Sequence, residues 1–194
     1  MKLTKICKLL WATCFTLSLG AATAANGADT AFDAVTGYRT SLYRAPTPET
    51  VPGGTVITLE ELQQLMTARN AVVLDVMPLE GAGADPVTGV WQVLKPRQNL
   101  AGSVWLPDVG RGTLSDRLET YFKSNLASLT GGDLGRPIAI YCQADCWMGW
   151  NAVKRAASYG YTALYWYRDG TDGMRDWDIP LVPATPVAVA VARP

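Results

Sequence analysis

The stretch that most constrains this chain runs from Pro137 to Gly160. Pro137-Ile138-Ala139-Ile140 is an apolar, β-prone run leading directly into Tyr141-Cys142-Gln143-Ala144-Asp145-Cys146-Trp147-Met148-Gly149-Trp150. Asn151 to Tyr159 is then rich in helix formers and stops at Gly160, a residue suited to the left-handed backbone after a helix. The pattern is strand, loop, helix. It sets the loop at the carboxyl end of a strand and against the positive end of a helix, where α/β proteins place their sites and where a thiolate is stabilised. Cys142 is the candidate nucleophile because it directly follows the strand. Asp145 opposes that role, since a nearby negative charge disfavours a thiolate.

The rest of the chain supplies partners for such a unit. Ala71-Val72-Val73-Leu74-Asp75-Val76-Met77 is a continuous apolar run broken by one carboxylate, as expected of a strand covered on both faces. Thr55-Val56-Ile57 is a short strand. Thr58 and Glu61 then form a capping box for a helix that carries Leu59, Leu62, Leu65 and Met66 on one face. Ala101 to Pro107 reads as a short strand, Leu114 to Leu129 as a helix started by Ser115 and stopped at Gly131-Gly132, and Ala163 to Tyr167 as an aromatic strand.

Strands alternating with helices predict one α/β domain, residues 55–182, with a mainly parallel central sheet flanked by helices. Asp75 and Cys142 then lie at the same edge of that sheet. Asp75 is either a site residue or a carboxylate that accepts backbone N–H groups where its strand ends. Residues 78–100 read as a long loop carrying Trp91, a candidate lid, and residues 168–173 as a solvated turn. An N-terminal arm is expected over residues 25–54 and a flexible tail over 183–194.

Lys2, Lys5 and Lys8 precede an apolar run from Leu9 to Leu19 and the small-x-small triplet Ala22-Thr23-Ala24, the pattern of a cleaved signal peptide spanning residues 1–24. Export to the periplasm, with no stable membrane anchor after cleavage, is the expectation. Cleavage leaves 14 basic against 17 acidic residues, a net charge of −3, and reduces four cysteines to the pair Cys142 and Cys146. The sequence has no histidine, which excludes imidazole-dependent triads and histidine metal ligands. No metal site, no cofactor and no nucleic-acid partner is expected, since no basic stripe is present.

The order Val72-Val73-Leu74-Asp75-Val76, Ala101 to Pro107, Tyr141-Cys142, Gly160-Tyr161 and Trp177-Asp178-Ile179-Pro180-Leu181 resembles the landmarks of rhodanese-like domains. Cys142 to Trp147 with Asn151 to Ala156, Trp105 to Gly112 and Tyr165 to Gly173 resembles, more narrowly, the exported PQQ-dependent catabolism-associated CXXCW motif proteins. That resemblance implies a setting with periplasmic quinoprotein dehydrogenases, which oxidise alcohols with pyrroloquinoline quinone (PQQ), and such a dehydrogenase or its electron acceptor as partner. Three residues separate the cysteines here, where the family name writes two. Sulfurtransferases of the superfamily place an arginine after the aspartate-valine and basic or glycine residues in the loop. Met77 and Gln143 to Met148 occupy those positions, so the cationic groups of a sulfurtransferase are missing.

The cysteine pair leaves three readings open. A persulfide on Cys142 would be resolved by Cys146 with release of sulfide, which suits thiol–disulfide exchange better than sulfur carriage. An inert disulfide that shapes the loop is the second reading, and thiosulfate-type sulfurtransfer through Cys142 the third. Trp91, Trp147 and Trp150, with Asp75 and Asp145, are the candidate substrate or partner surface, with core packing the favoured role for at least one of Trp147 and Trp150. A noncatalytic binding module would use this surface and not the sulfurs.

Overall fold

The computed structural model describes residues 30–68, 71–81 and 83–191. The expected signal peptide lies outside the described residues. Five short strands form a sheet in the order β1-β6-β5-β2-β4: β1 (Thr55–Ile57), β2 (Val72–Asp75), β4 (Val104–Trp105), β5 (Ile138–Tyr141) and β6 (Leu164–Tyr167). Every pairing in it is parallel, with Asp75 opposite both Trp105 and Tyr141, and Tyr141 opposite Tyr167. The strands therefore end level, and the segments that follow Asp75, Trp105, Tyr141 and Tyr167 share one edge.

Alternation along the buried strands gives the sheet two apolar faces. Leu74, Ile138 and Ile140 pack with Phe122 and Leu126 of α2 (Asp116–Thr130) and with Ala152, Val153 and Ala156 of α3 (Trp147–Ser158). Val73, Ala139, Tyr141 and Tyr167 face Leu62 and Leu65 of α1 (Leu59–Ala68) and Met174 of α4 (Gly170–Asp176). Such two-sided cover is what lets the central strands read as unbroken apolar runs. The helix ends follow local chemistry. Glu61 accepts the Thr58 amide at 2.8 Å while its own N–H donates to the Thr58 hydroxyl at 3.2 Å. Ser115 caps α2, and Gly131 closes it at φ 68°.

Three segments depart from expectation. The long loop after β2 ends in a strand, β3 (Arg97–Leu100), which pairs antiparallel with β7 (Leu181–Ala184). The expected tail lies against the domain in its described part: Val187 N–H donates to Trp105 O at 3.0 Å, Val189 N–H donates to Gly89 O at 2.9 Å, and Val189 is buried. Its Ala-Val-Pro alternation is that of an edge strand, where a proline without N–H is tolerated. The expected turn after β6 is the start of α4, anchored by fully buried Met174. No helix among the described residues is long and apolar enough to cross a membrane.

Candidate functional site

β5 delivers Cys142 to the carboxyl edge of the sheet, and α3 begins at Trp147, directly after Cys146. The two cysteines form a disulfide, with Cα atoms 6.2 Å apart. The Cys142 carbonyl accepts from Arg97 Nη2 at 3.1 Å and from the Thr171 amide at 3.3 Å, which ties the loop to β3 and α4. Asp145 turns the loop with a φ of 50°, a left-handed conformation that aspartate tolerates better than most residues. Its side chain is exposed, so Asp145 stands at the surface while both sulfurs lie inside.

Asp75 is fully buried and is gripped by Arg97, whose Nε and Nη2 approach its two oxygens at 2.5 and 2.9 Å. The Met77 amide donates to the same carboxylate at 3.0 Å, which is the strand-end role open to this residue from sequence. Burial pushes the Asp75 carboxyl above the ordinary carboxylate range, while the hydrogen bonds and charge of Arg97 pull it back. The positions at which a sulfurtransferase carries its cations, Met77 and Gln143 to Met148, hold none, yet the site is not without one. A guanidinium is present, but it comes from a strand hidden in an aperiodic loop 22 residues downstream, and it serves a carboxylate and a carbonyl.

One loop amide is occupied as well. Ala144 N–H donates to Asp172 Oδ2 at 3.2 Å, so an internal carboxylate takes a donor that an anionic substrate would need. The N-terminal arm covers the other side. Arg44 pairs with Cys146 in an antiparallel bridge, flanked by bonds from Ala45 N–H to Asp145 O at 3.2 Å and from Trp147 N–H to Tyr43 O at 2.9 Å. The Arg44 guanidinium reaches over to the Ala144 carbonyl. Asn151 clamps the arm at Arg39, accepting its N–H at 3.0 Å and donating to its carbonyl at 2.8 Å.

All three candidate tryptophans lie inside, so Trp147 and Trp150 take the core role, and none of them offers a partner surface. Trp147 and Trp150 meet edge to face at 5.3 Å, Phe32 of the arm packs on both, and the Arg39 guanidinium lies 4.5 Å from the Trp147 ring centre. Trp91 is brought to neither the cysteines nor solvent. It is 5 % exposed, stacks at a tilt on Tyr121 6.0 Å away, and donates to Val187 O at 2.8 Å. The structure thus unites Asp75, Cys142, Cys146 and Trp147 in one closed region and removes Trp91 to the flank. Met77 completes the enclosure, its sulfur 3.5 Å from Cys142 Sγ. Among the described residues no group of three or more Cys, Asp or Glu is placed to hold a metal.

No protein-family model and no curated protein matches this sequence. Solved structures that it matches over part of its length include the solution structure of the 30 kDa polysulfide-sulfur transferase homodimer from Wolinella succinogenes, at 16 % identity and a TM-score of 0.42, over 67 % of this chain and 79 % of that one. Another is an EanB variant in complex with hercynine, at 16 % identity and a TM-score of 0.43, over 68 % of this chain and 32 % of that one.

Proposed function

We propose that this chain is an exported, rhodanese-like accessory protein of a PQQ-dependent alcohol-oxidising system, in which the Cys142–Cys146 bridge sets the shape of the loop. The order of landmarks supports the rhodanese-like part: Asp75 ends a central strand, Pro107 follows β4, Cys142 follows β5, Gly160-Tyr161 follows α3, and Trp177 to Pro180 precede β7. The PQQ setting rests on the motif from Cys142 to Trp147 and its flanking segments.

Burial carries the structural reading of the bridge, since Cys142 is 1 % and Cys146 3 % exposed. Disulfide exchange needs a thiolate to reach a sulfur, and here the arm, Met77 and α3 stand in the way. Sulfurtransfer needs a free thiolate and spare anion-binding donors. In this loop Cys142 is bridged, Ala144 N–H serves Asp172, and Arg97 serves Asp75.

Equilibrating the purified protein in graded dithiol buffers and counting alkylated cysteines by mass tests this reading. A potential below about −300 mV is expected, and one above about −200 mV would replace it with a labile redox pair. A persulfide on Cys142 after exposure to thiosulfate would instead establish sulfurtransfer. The accessory role predicts saturable binding, by calorimetry, to a PQQ-dependent alcohol dehydrogenase or its electron acceptor. Absence of binding to both, with no change in dehydrogenase turnover, would refute it.

A further inference from the structure

A cavity of about 660 Å³ opens at the carboxyl edge of β1 and β6, and no residue of the bridged loop lines it. Its apolar walls come from Ile57 and Tyr167, the last residues of those two strands, and from Ile179. Trp177 also lines it, with 74 % of its surface exposed. Trp91, Trp105, Trp147, Trp150 and Trp166 are each less than a tenth exposed, so Trp177 stands apart among the described tryptophans in keeping an uncovered ring beside a cavity. Tyr167 is 1 % exposed and lines the cavity, and its hydroxyl makes no hydrogen bond to the described residues.

The charges at the rim are unequal. Glu49, Glu60 and Asp169 supply three carboxylates against the single guanidinium of Arg168. That guanidinium is already engaged, 2.6 Å from Glu49 and 3.9 Å from Asp169. An anion entering the cavity would meet surplus negative charge and a cation with its partner in place. A cation would meet Glu60 and Asp169 and an open indole face, the arrangement that attracts ammonium groups.

We propose that this cavity binds an amphipathic organic cation, an ammonium group carried on an aromatic or branched aliphatic body. The ammonium sits over Trp177 within reach of the carboxylates, the apolar body covers Ile57 and Ile179, and the Tyr167 hydroxyl gains a hydrogen-bond partner. The inference is independent of the reading of the disulfide, since it uses none of the same residues.

The test titrates the purified protein with 2-phenylethylammonium and follows the indole N–H resonance of Trp177, assigned by its loss in Trp177→Phe. Calorimetry in parallel compares the amine with neutral 2-phenylethanol and anionic 3-phenylpropionate. The amine is expected to shift the Trp177 signal and to bind about tenfold more tightly than either control, and Trp177→Ala is expected to weaken it about tenfold. Trp177 is exposed, so that variant keeps its fold, and Glu60→Gln gives a second readout through a smaller loss of about threefold. Equal binding of the three probes, an unshifted Trp177 resonance at millimolar amine, or full affinity in Trp177→Ala would overturn the proposal.

Discussion

Replacing Arg97 by Met is the sharpest perturbation the structure offers. The substitution keeps most of the side chain's bulk and removes both guanidinium bonds to Asp75, leaving a carboxylate with no exposure to solvent. Breaking a buried pair from one side costs about 3 to 5 kcal/mol. Asp75 keeps the Met77 amide at 3.0 Å and Cys142 O keeps the Thr171 amide, so the lower end, about 3 kcal/mol, is expected.

The loss carries a pH signature. Burial already raises the Asp75 carboxyl over its ordinary value, so the folded protein holds this proton more tightly than the unfolded chain does. The group's contribution to stability is therefore fully present below the ordinary carboxylate value and is lost as pH rises through the folded-state value. Without Arg97 the upward shift grows. Urea unfolding, followed by tryptophan fluorescence, should show the deficit of Arg97→Met at its largest near about pH 7 and shrinking toward about pH 4, where a carboxyl can take a proton. Adding Asp75→Asn should recover about half the loss at neutral pH, because no buried charge is then left unpaired. A deficit below about 1 kcal/mol, or one that is equal at both pH values, would refute the reasoning.

Other outcomes follow from the same geometry. Cys142→Ser with Cys146→Ser should cost about 2 kcal/mol in urea unfolding, since a bridge across so short a loop restricts the unfolded chain only modestly. Asn151→Ala strips three buried bonds, those to Arg39 N–H and O and to Gly110 O, and should cost about 3 kcal/mol. In that variant trypsin should cut at Arg39 or Arg44 sooner than in the parent. Gly170→Ala would set a Cβ 2.4 Å from the Gln143 backbone at a φ of 54°, while at Gly131, φ 68°, nothing lies within 4 Å. The first should therefore cost clearly more than the about 1 to 2 kcal/mol expected of the second from its left-handed backbone alone, as read from paired thermal melts.

Features set by near neighbours were legible in the sequence. The capping box at Thr58 and Glu61, the Ser115 cap, the Gly131 stop and the unbroken apolar strand ending in Asp75 each depend on residues a few positions apart. The parallel sheet followed from strands alternating with helices. What escaped depends on distant partners. Nothing near Arg97 in the sequence says that it will reach back to Asp75, because β3 exists only through pairing with β7, and the Ala-Val-Pro stretch reads as a tail until that strand is supplied. α4 was hidden by its glycines and aspartates, which resemble a turn, and is stabilised by the burial of Met174. Trp147 and Trp150 were recognisable as a pair, with core packing favoured for at least one, but what covers them was not, since the cover is Phe32 and Arg39, more than a hundred residues earlier.

The clasp of the arm on α3 also sets an order of events in time. Arg39 meets Asn151 across 112 positions of chain, so the first described segment to leave the ribosome has its docking ground among the later ones to emerge. Closing a loop of that length slows folding more than it alters stability. Until α3 is made, Phe32, Tyr38 and Tyr43 have no helix to cover. A nascent chain truncated before Asn151 should therefore remain protease-sensitive at its arm however complete its first strands are.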